Sequence, residues 1–158
     1  MDPGTLFPSA ETSTQRFSLI KQLAKSTSCT VYSAKTLTTG DLVAIKKVDK
    51  AGLGVSALAA RRLSEVEIPS QFYHDHLLHP ISHYEDEESL YVVLELCEGG
   101  DLKHYLETKK ILAEQEVCTL AREIALGLEA LHDSLTVHRN LSLSSVLLTS
   151  ENHAVSST

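Results

Sequence analysis

Three features of the sequence predict an α+β fold. Runs rich in β-branched and aromatic residues recur through the first hundred positions, a single segment among them switches to helical spacing, and a long amphipathic stripe then fills residues 113–132. Five strands with one helix, followed by a helical half, is a segregated order rather than the strict alternation of a parallel sheet.

Taken in order, residues 1–15 are rich in Pro, Ser and Thr without period and read as a disordered leader. Residues 17–23 and 30–35 read as two strands joined by a polar turn at 24–29. A turn at Thr39-Gly40-Asp41 leads to a third strand at 42–48, so an antiparallel three-stranded meander is expected. Residues 56–68 carry Leu58, Leu63 and Val66 at helical spacing in an Ala-rich background, and Pro69 ends or kinks that helix. Residues 77–84 and 89–96 are two more strands about the acidic turn at 85–88. Glu98-Gly99-Gly100-Asp101 breaks the pattern, and 102–108 is a short helix. The longest helix, 113–132, aligns Val117, Leu120, Ile124, Leu128 and Leu131. Residues 136–148 read as a short strand, a tight polar loop and an apolar strand, Val146-Leu147-Leu148.

A chain of 158 residues, 42% hydrophobic and 22% charged, is one ordinary globular domain by composition. A formal net charge of −7 argues against nucleic acid or an anionic membrane as partner. Three cysteines at unrelated spacings fit free thiols in a reducing compartment, so cytoplasm or nucleus is expected. No basic leader with an apolar run and no stretch of 18 apolar residues is present. His74, His76, His79 and His83 crowd one segment around Asp75. A metal site needs its imidazoles to converge, and a solvated loop is the expected reading.

The chemistry lies in a few motifs. Val43-Ala44-Ile45-Lys46 lies on the third strand, Glu65 lies on the first helix, and residues 90–102 read LYVVLELCEGGDL. His138-Arg139-Asn140 is followed by Ser145 five residues past the Asn. In this order they resemble the eukaryotic serine/threonine protein kinases, with the hinge wording of the NIMA-related and polo-like groups. The resemblance runs from about Phe17 to Leu148 and covers about half of such a domain. It implies a five-stranded antiparallel small lobe with one helix over 16–96, a hinge over 97–101, and an incomplete large lobe over 102–158. It also implies an ATP site. Lys46 would pair with the phosphates and with Glu65, Leu94 would gate the pocket, and the backbone at Glu95 and Cys97 would bind adenine. Leu23, Val31, Ala44 and Asp101 would complete that site.

Departures from the family pattern bear on the chemistry. Ala24, Ser26 and Cys29 occupy the places of the phosphate loop's glycines. Two readings stay open: an ordinary polar hairpin turn, or a nucleotide flap in which Ser26, Thr27 or Ser28 donates a hydroxyl. Asn140 stands where the family has its proton-accepting Asp, and an amide takes up no proton at ordinary pH. General-base assistance is worth roughly 10² to 10⁴ in rate. Ser145, a neutral hydroxyl, stands at the metal-holding Asn, which weakens magnesium. The family's D-F-G Asp falls at best on Thr158, and the activation segment that Arg139 would read is expected to be missing.

Lys46 and Glu65 carry two readings of equal weight: a grip for ATP, or a strut fixing helix to sheet. The expectation is a degenerate, truncated kinase module that acts through protein partners, with or without nucleotide. The alternatives are a serine/threonine kinase with residual activity, and a truncated product with no function of its own.

Overall fold

The computed structural model describes residues 17–51, 53–71 and 73–157. The expected leader at 1–15 and the D-F-G position at Thr158 lie outside them. The chain divides into two compact units: residues up to Ile68 together with Pro80–Leu96, and Pro69–His79 together with Cys97–Thr158.

The first unit is an antiparallel sheet of five strands, as the sequence predicts, and their order is β1-β2-β3-β5-β4. β1 (Phe17–Lys25), β2 (Cys29–Thr36) and β3 (Leu42–Asp49) form the meander, and β4 (Pro80–Glu85) and β5 (Ser89–Glu95) complete the sheet. Two register irregularities in β1, at Leu19/Lys21 and Gln22/Ala24, bend that edge strand. Alternation along each strand gives the sheet two apolar faces. On one, Phe17, Ala34, Val43, Ile45, Tyr84, Tyr91 and Val93 are buried together. Tyr84 stacks on Phe17 and on Tyr91 with ring centroids 6.3 Å and 4.7 Å apart. On the other, Val48, Leu90 and Val92 pack with Val66.

Val66 comes from the segment after β3. There α1 (Val55–Arg62) runs into a π-helical turn (Leu63–Glu67), closed by the Ile68 N–H on the Leu63 carbonyl at 2.9 Å. The sequence predicts one helix over 56–68. The structure breaks its period at Leu63 and ends it before Pro69, which opens a 3-10 turn (Pro69–Gln71). No residue of α1 itself is buried, so polar contacts tie it to the sheet. Arg62 pairs with Glu85 at 3.1 Å, and Lys50 reaches the same carboxylate at 3.1 Å.

The second unit holds β6 (Gly100–Asp101), α2 (Leu102–Lys109), α3 (Glu114–Asp133), β7 (Val146–Leu148) and β8 (Ala154–Ser156), with a small sheet ordered β6-β7-β8. Leu102, Leu120, Val146, Leu148 and Ala154 form its core, with Tyr105, Leu106, Leu112 and Ile124 against it. On the expected α3 stripe, Leu120 and Leu131 are buried, whereas Val117 is 48% exposed.

Several expectations are corrected here. No strand forms at Thr136-Val137: Leu135 turns to φ 56°, and the Thr136 N–H returns to the Leu131 carbonyl at 2.9 Å, closing the end of α3. β6 and β8 were not expected. β4 starts at Pro80, and Leu77 instead makes a single bridge to Ser156. Residues 69–79, grouped by sequence with the first lobe, pack in the second unit. The His76 carbonyl accepts the Ser156 N–H, and the Ser156 carbonyl accepts the Leu78 N–H, both at 2.9 Å. Among the described residues no helix is long and apolar enough to cross a membrane.

Candidate functional site

In the first unit the candidate residues gather around β3. Lys46 lies opposite Val31 on β2 and Val92 on β5, and Ala44 lies opposite Leu94. Directly opposed residues share a face of the sheet, so Val31, Ala44, Lys46 and Leu94 stand on one side. Leu23 sits at the second irregularity of β1, 46% exposed, and Glu95 is exposed at the end of β5.

Glu65, on the π-helical turn, forms an ion pair with Lys46, the two side chains being 10% and 20% exposed. The other oxygen of that carboxylate meets Arg61 Nη1 at 3.3 Å. Arg61 Nη2 donates to Ser28 Oγ at 3.2 Å, on the turn between β1 and β2. That turn is internally bonded. The Ser26 N–H donates to the Cys29 carbonyl at 2.8 Å, and the Cys29 N–H to Ser26 Oγ at 3.2 Å. The Ser28 carbonyl also accepts the Asp49 N–H at 3.1 Å, from the end of β3.

In the second unit, the Cys97 carbonyl accepts the Gly100 N–H at 3.2 Å, and the Gly99 N–H donates to the Leu148 carbonyl at 2.9 Å. A Cβ on Gly99 would stand 2.6 Å from the Thr149 carbonyl oxygen, so only glycine fits there. Asp101, expected at a nucleotide, caps α2: its carboxylate accepts the His104 N–H at 2.8 Å.

The polar loop before β7 is built on two buried side chains. His138 is buried, its Nδ1 accepts the Asn140 N–H at 3.3 Å, and its carbonyl accepts the same group at 2.8 Å. Arg139, at φ 61°, forms the apex of that tight turn, and Arg139 and Asn140 are both exposed. Ser145 is 7% exposed. Its hydroxyl accepts the Ser142 N–H at 2.9 Å and sits within donating distance of the Asn140 and Ser142 carbonyls, at 2.9 Å and 3.0 Å. Its own carbonyl takes the Ser157 N–H at 2.8 Å.

The protein kinase domain model matches residues 17–156, nearly the whole of the chain. The chain belongs to the protein kinase family. Among curated relatives, serine/threonine-protein kinase PLK4 of Aedes aegypti is 40% identical over 130 residues, 82% of this chain and 17% of that protein. PLK4 of Xenopus laevis is 35% identical over 136 residues, 85% of this chain and 14% of the relative. PLK4 of Drosophila grimshawi is 38% identical over 125 residues, 78% and 16% respectively. The chain thus spans about a sixth of the length of these relatives.

Protein kinases in general use ATP and magnesium. In this kinase chain the first unit offers what the phosphate end of a nucleotide needs: a cation on a rigid strand, oriented by a carboxylate that is itself held by a second cation. The fit to magnesium is poorer. Asn140 offers an uncharged amide, and the Ser145 hydroxyl is engaged by the backbone of its own loop, so neither presents an anionic oxygen. The histidine-rich segment does not converge either. His74 Nδ1 accepts the His76 N–H at 3.1 Å, while His76 Nδ1 lies 2.9 Å from the Ala154 carbonyl. No group of three or more His, Cys, Asp or Glu able to hold a metal occurs among the described residues.

Sequence reasoning named Ser28 as a possible hydroxyl donor but missed Arg61 and the bond between the two, because nothing but the fold brings them together. It also missed Glu123, a buried carboxylate on α3 that accepts the Ala154 N–H at 2.7 Å and faces His153 Nδ1 at 2.6 Å. Burial works to raise the Glu123 carboxyl, but the Ala154 N–H and His153 outweigh it and hold it below its ordinary range. The hydrogen bond to Glu123 holds His153 above its own. The available signal was a charged residue on the apolar stripe, three positions after Leu120.

Proposed function

We propose that this chain is a kinase module of the polo-like and NIMA-related kind, which binds a nucleotide, transfers its phosphoryl group poorly if at all, and works by engaging a protein partner. The observation that carries this is the unequal state of its two sets of residues. The Lys46–Glu65 ion pair is formed and braced, whereas the loop over 138–145 holds Asn140 and a backbone-engaged Ser145.

Phosphoryl transfer depends almost entirely on positioning and charge stabilisation. An amide at 140 cannot take the proton of an incoming hydroxyl, which forfeits roughly 10² to 10⁴ in rate. The second loss compounds the first, since Ser145 is turned into its own loop rather than toward a cation. Lys46 can still hold phosphate oxygens, Ala44 and Leu94 supply an apolar surface for the adenine ring, and the backbone at Glu95 is a polar contact for it. The net charge of −7 supports a protein partner over a polyanionic one, and the odd cysteine count supports a reducing compartment.

Thermal shift tests the nucleotide half. ATP at 100 times its Kd stabilises by about 2.7 kcal/mol, which for a chain of this size is a rise of about 5–10 °C. The unaltered chain is expected to show that rise and Lys46→Ala to lose it; equal melting with and without ATP would contradict the proposal. A second reading, a serine/threonine kinase with residual activity, is supported by the names of the relatives, and phosphate transfer to a protein substrate distinguishes it.

A further inference from the structure

We propose that Arg61 is a positioning residue for the phosphate end of this site, clamping the glycine-free hairpin tip to Glu65 through the hydroxyl of Ser28; the inference rests on the nucleotide reading above. Ala24, Ser26 and Cys29 leave the tip without the conformational freedom that glycine gives, so its place beside the end of β3 must come from contacts. Two hydrogen bonds of Ser28 tie it to other elements. The Ser28 carbonyl is held by the Asp49 N–H at 3.1 Å, and the Ser28 hydroxyl by Arg61 at 3.2 Å.

The guanidinium is suited to the task because it is planar and offers several donors in fixed directions. Nη1 meets Glu65 at 3.3 Å while Nη2 meets Ser28, so one side chain touches both the carboxylate paired with Lys46 and the turn beside it. A lysine ammonium is a single point and does not span the two. α1 buries none of its own residues, which leaves Arg61 and Arg62 as principal ties between this helix and its surroundings. The clamp therefore sets the tip and the Lys46–Glu65 pair together. It affects the phosphates and leaves the adenine end alone.

The experiment compares ATP with adenosine by calorimetry, using the full 158-residue chain and its Arg61→Ala, Arg61→Lys, Ser28→Ala and Ser28→Thr variants. Arg61→Ala, Arg61→Lys and Ser28→Ala are expected to weaken ATP by about tenfold, the scale of one hydrogen bond to a charged group, with adenosine affinity unchanged. Ser28→Thr keeps the hydroxyl and should bind as the unaltered chain does. Joining Arg61→Ala to Ser28→Ala should cost no more than Arg61→Ala alone, because both remove one interaction. Unchanged ATP affinity in Ser28→Ala, or equal weakening of ATP and adenosine, would overturn the proposal. Amide exchange in the ligand-free chain is a separate arm: both alanine variants should exchange faster at Cys29 and Asp49. If the unaltered chain binds neither ligand, the nucleotide reading falls and the phosphate role with it. The clamp is then decided by exchange alone, and unchanged rates refute it.

Discussion

The hydroxyl of Ser145 lies 2.9 Å from the backbone carbonyl of Asn140, so two of the positions where this chain departs from the kinase pattern are bonded to each other. Ser145 closes the loop from within, accepting the Ser142 N–H on one side and donating across to residue 140 on the other. A side chain that holds its own loop in this way serves the fold first. Replacing it by alanine should leave the Ser142 N–H without its acceptor and cost about 1–3 kcal/mol. The expected fall in melting temperature is about 2–12 °C, with the ATP-induced rise retained. Loss of that rise in a folded Ser145→Ala chain would mean that residue 145 serves the nucleotide site instead.

Gly127 gives a test in which two effects oppose. Alanine is the better helix former by about 1 kcal/mol, and α3 is a long helix. Yet a Cβ at 127 would stand 2.7 Å from the His76 carbonyl oxygen, a backbone atom that cannot swing aside. Moving that backbone costs about 1–3 kcal/mol, so Gly127→Ala is expected to lower the melting temperature. A higher one would show that the contact between residues 69–79 and α3 is looser than described.

The Glu123–His153 pair predicts a pH window. His153 is held above its ordinary value of 6.5 by Glu123, so its contribution is complete below pH 6.5 and disappears as pH rises through the raised folded value. Glu123 is held below its ordinary 4.5, so its contribution is complete above pH 4.5 and disappears as pH falls through the depressed folded value. The pair is at full strength between those limits. Glu151, 3.8 Å from His153 Nε2, adds to the same sign. The difference in melting temperature between the unaltered chain and His153→Gln should be largest from pH 4.5 to 6.5 and shrink on either side. Since His153 is half exposed, added salt should flatten the curve. A difference constant with pH would refute the ionic account.

Asp101 caps α2 through the His104 N–H. Asp101→Ala should cost about 1 kcal/mol of stability, and Asp101→Asn much less, because the amide oxygen still accepts. Thermal melts of the two variants check this: equal losses would show that charge, rather than the cap bond, is what matters there.

How far the sequence reached can be argued from particular residues. The five strands were legible because alternation such as Val43, Ile45 against Ala44, Lys46 marks a sheet with two distinct faces and turn signals separate the strands; the place of β5 between β3 and β4 carries no such mark. β6 and β8, two and three residues long, carry no period of their own and exist through pairing with β7. Thr136 and Val137 had strand composition, but the closing bond to Leu131 at the end of α3 prevailed. Lys46 and Glu65 were readable as a pair from motif order. Arg61 was not, since its meaning depends on Ser28, 33 residues away in sequence and 3.2 Å away in space.

The most direct test of the whole account is transfer of a labelled γ-phosphate from ATP with magnesium to a generic protein acceptor, measured for the unaltered chain beside Lys46→Ala. A braced lysine without a proton acceptor predicts ATP binding in the first and not the second, and the same background rate of transfer in both. Transfer above background that Lys46→Ala and Asn140→Ala each abolish would contradict it.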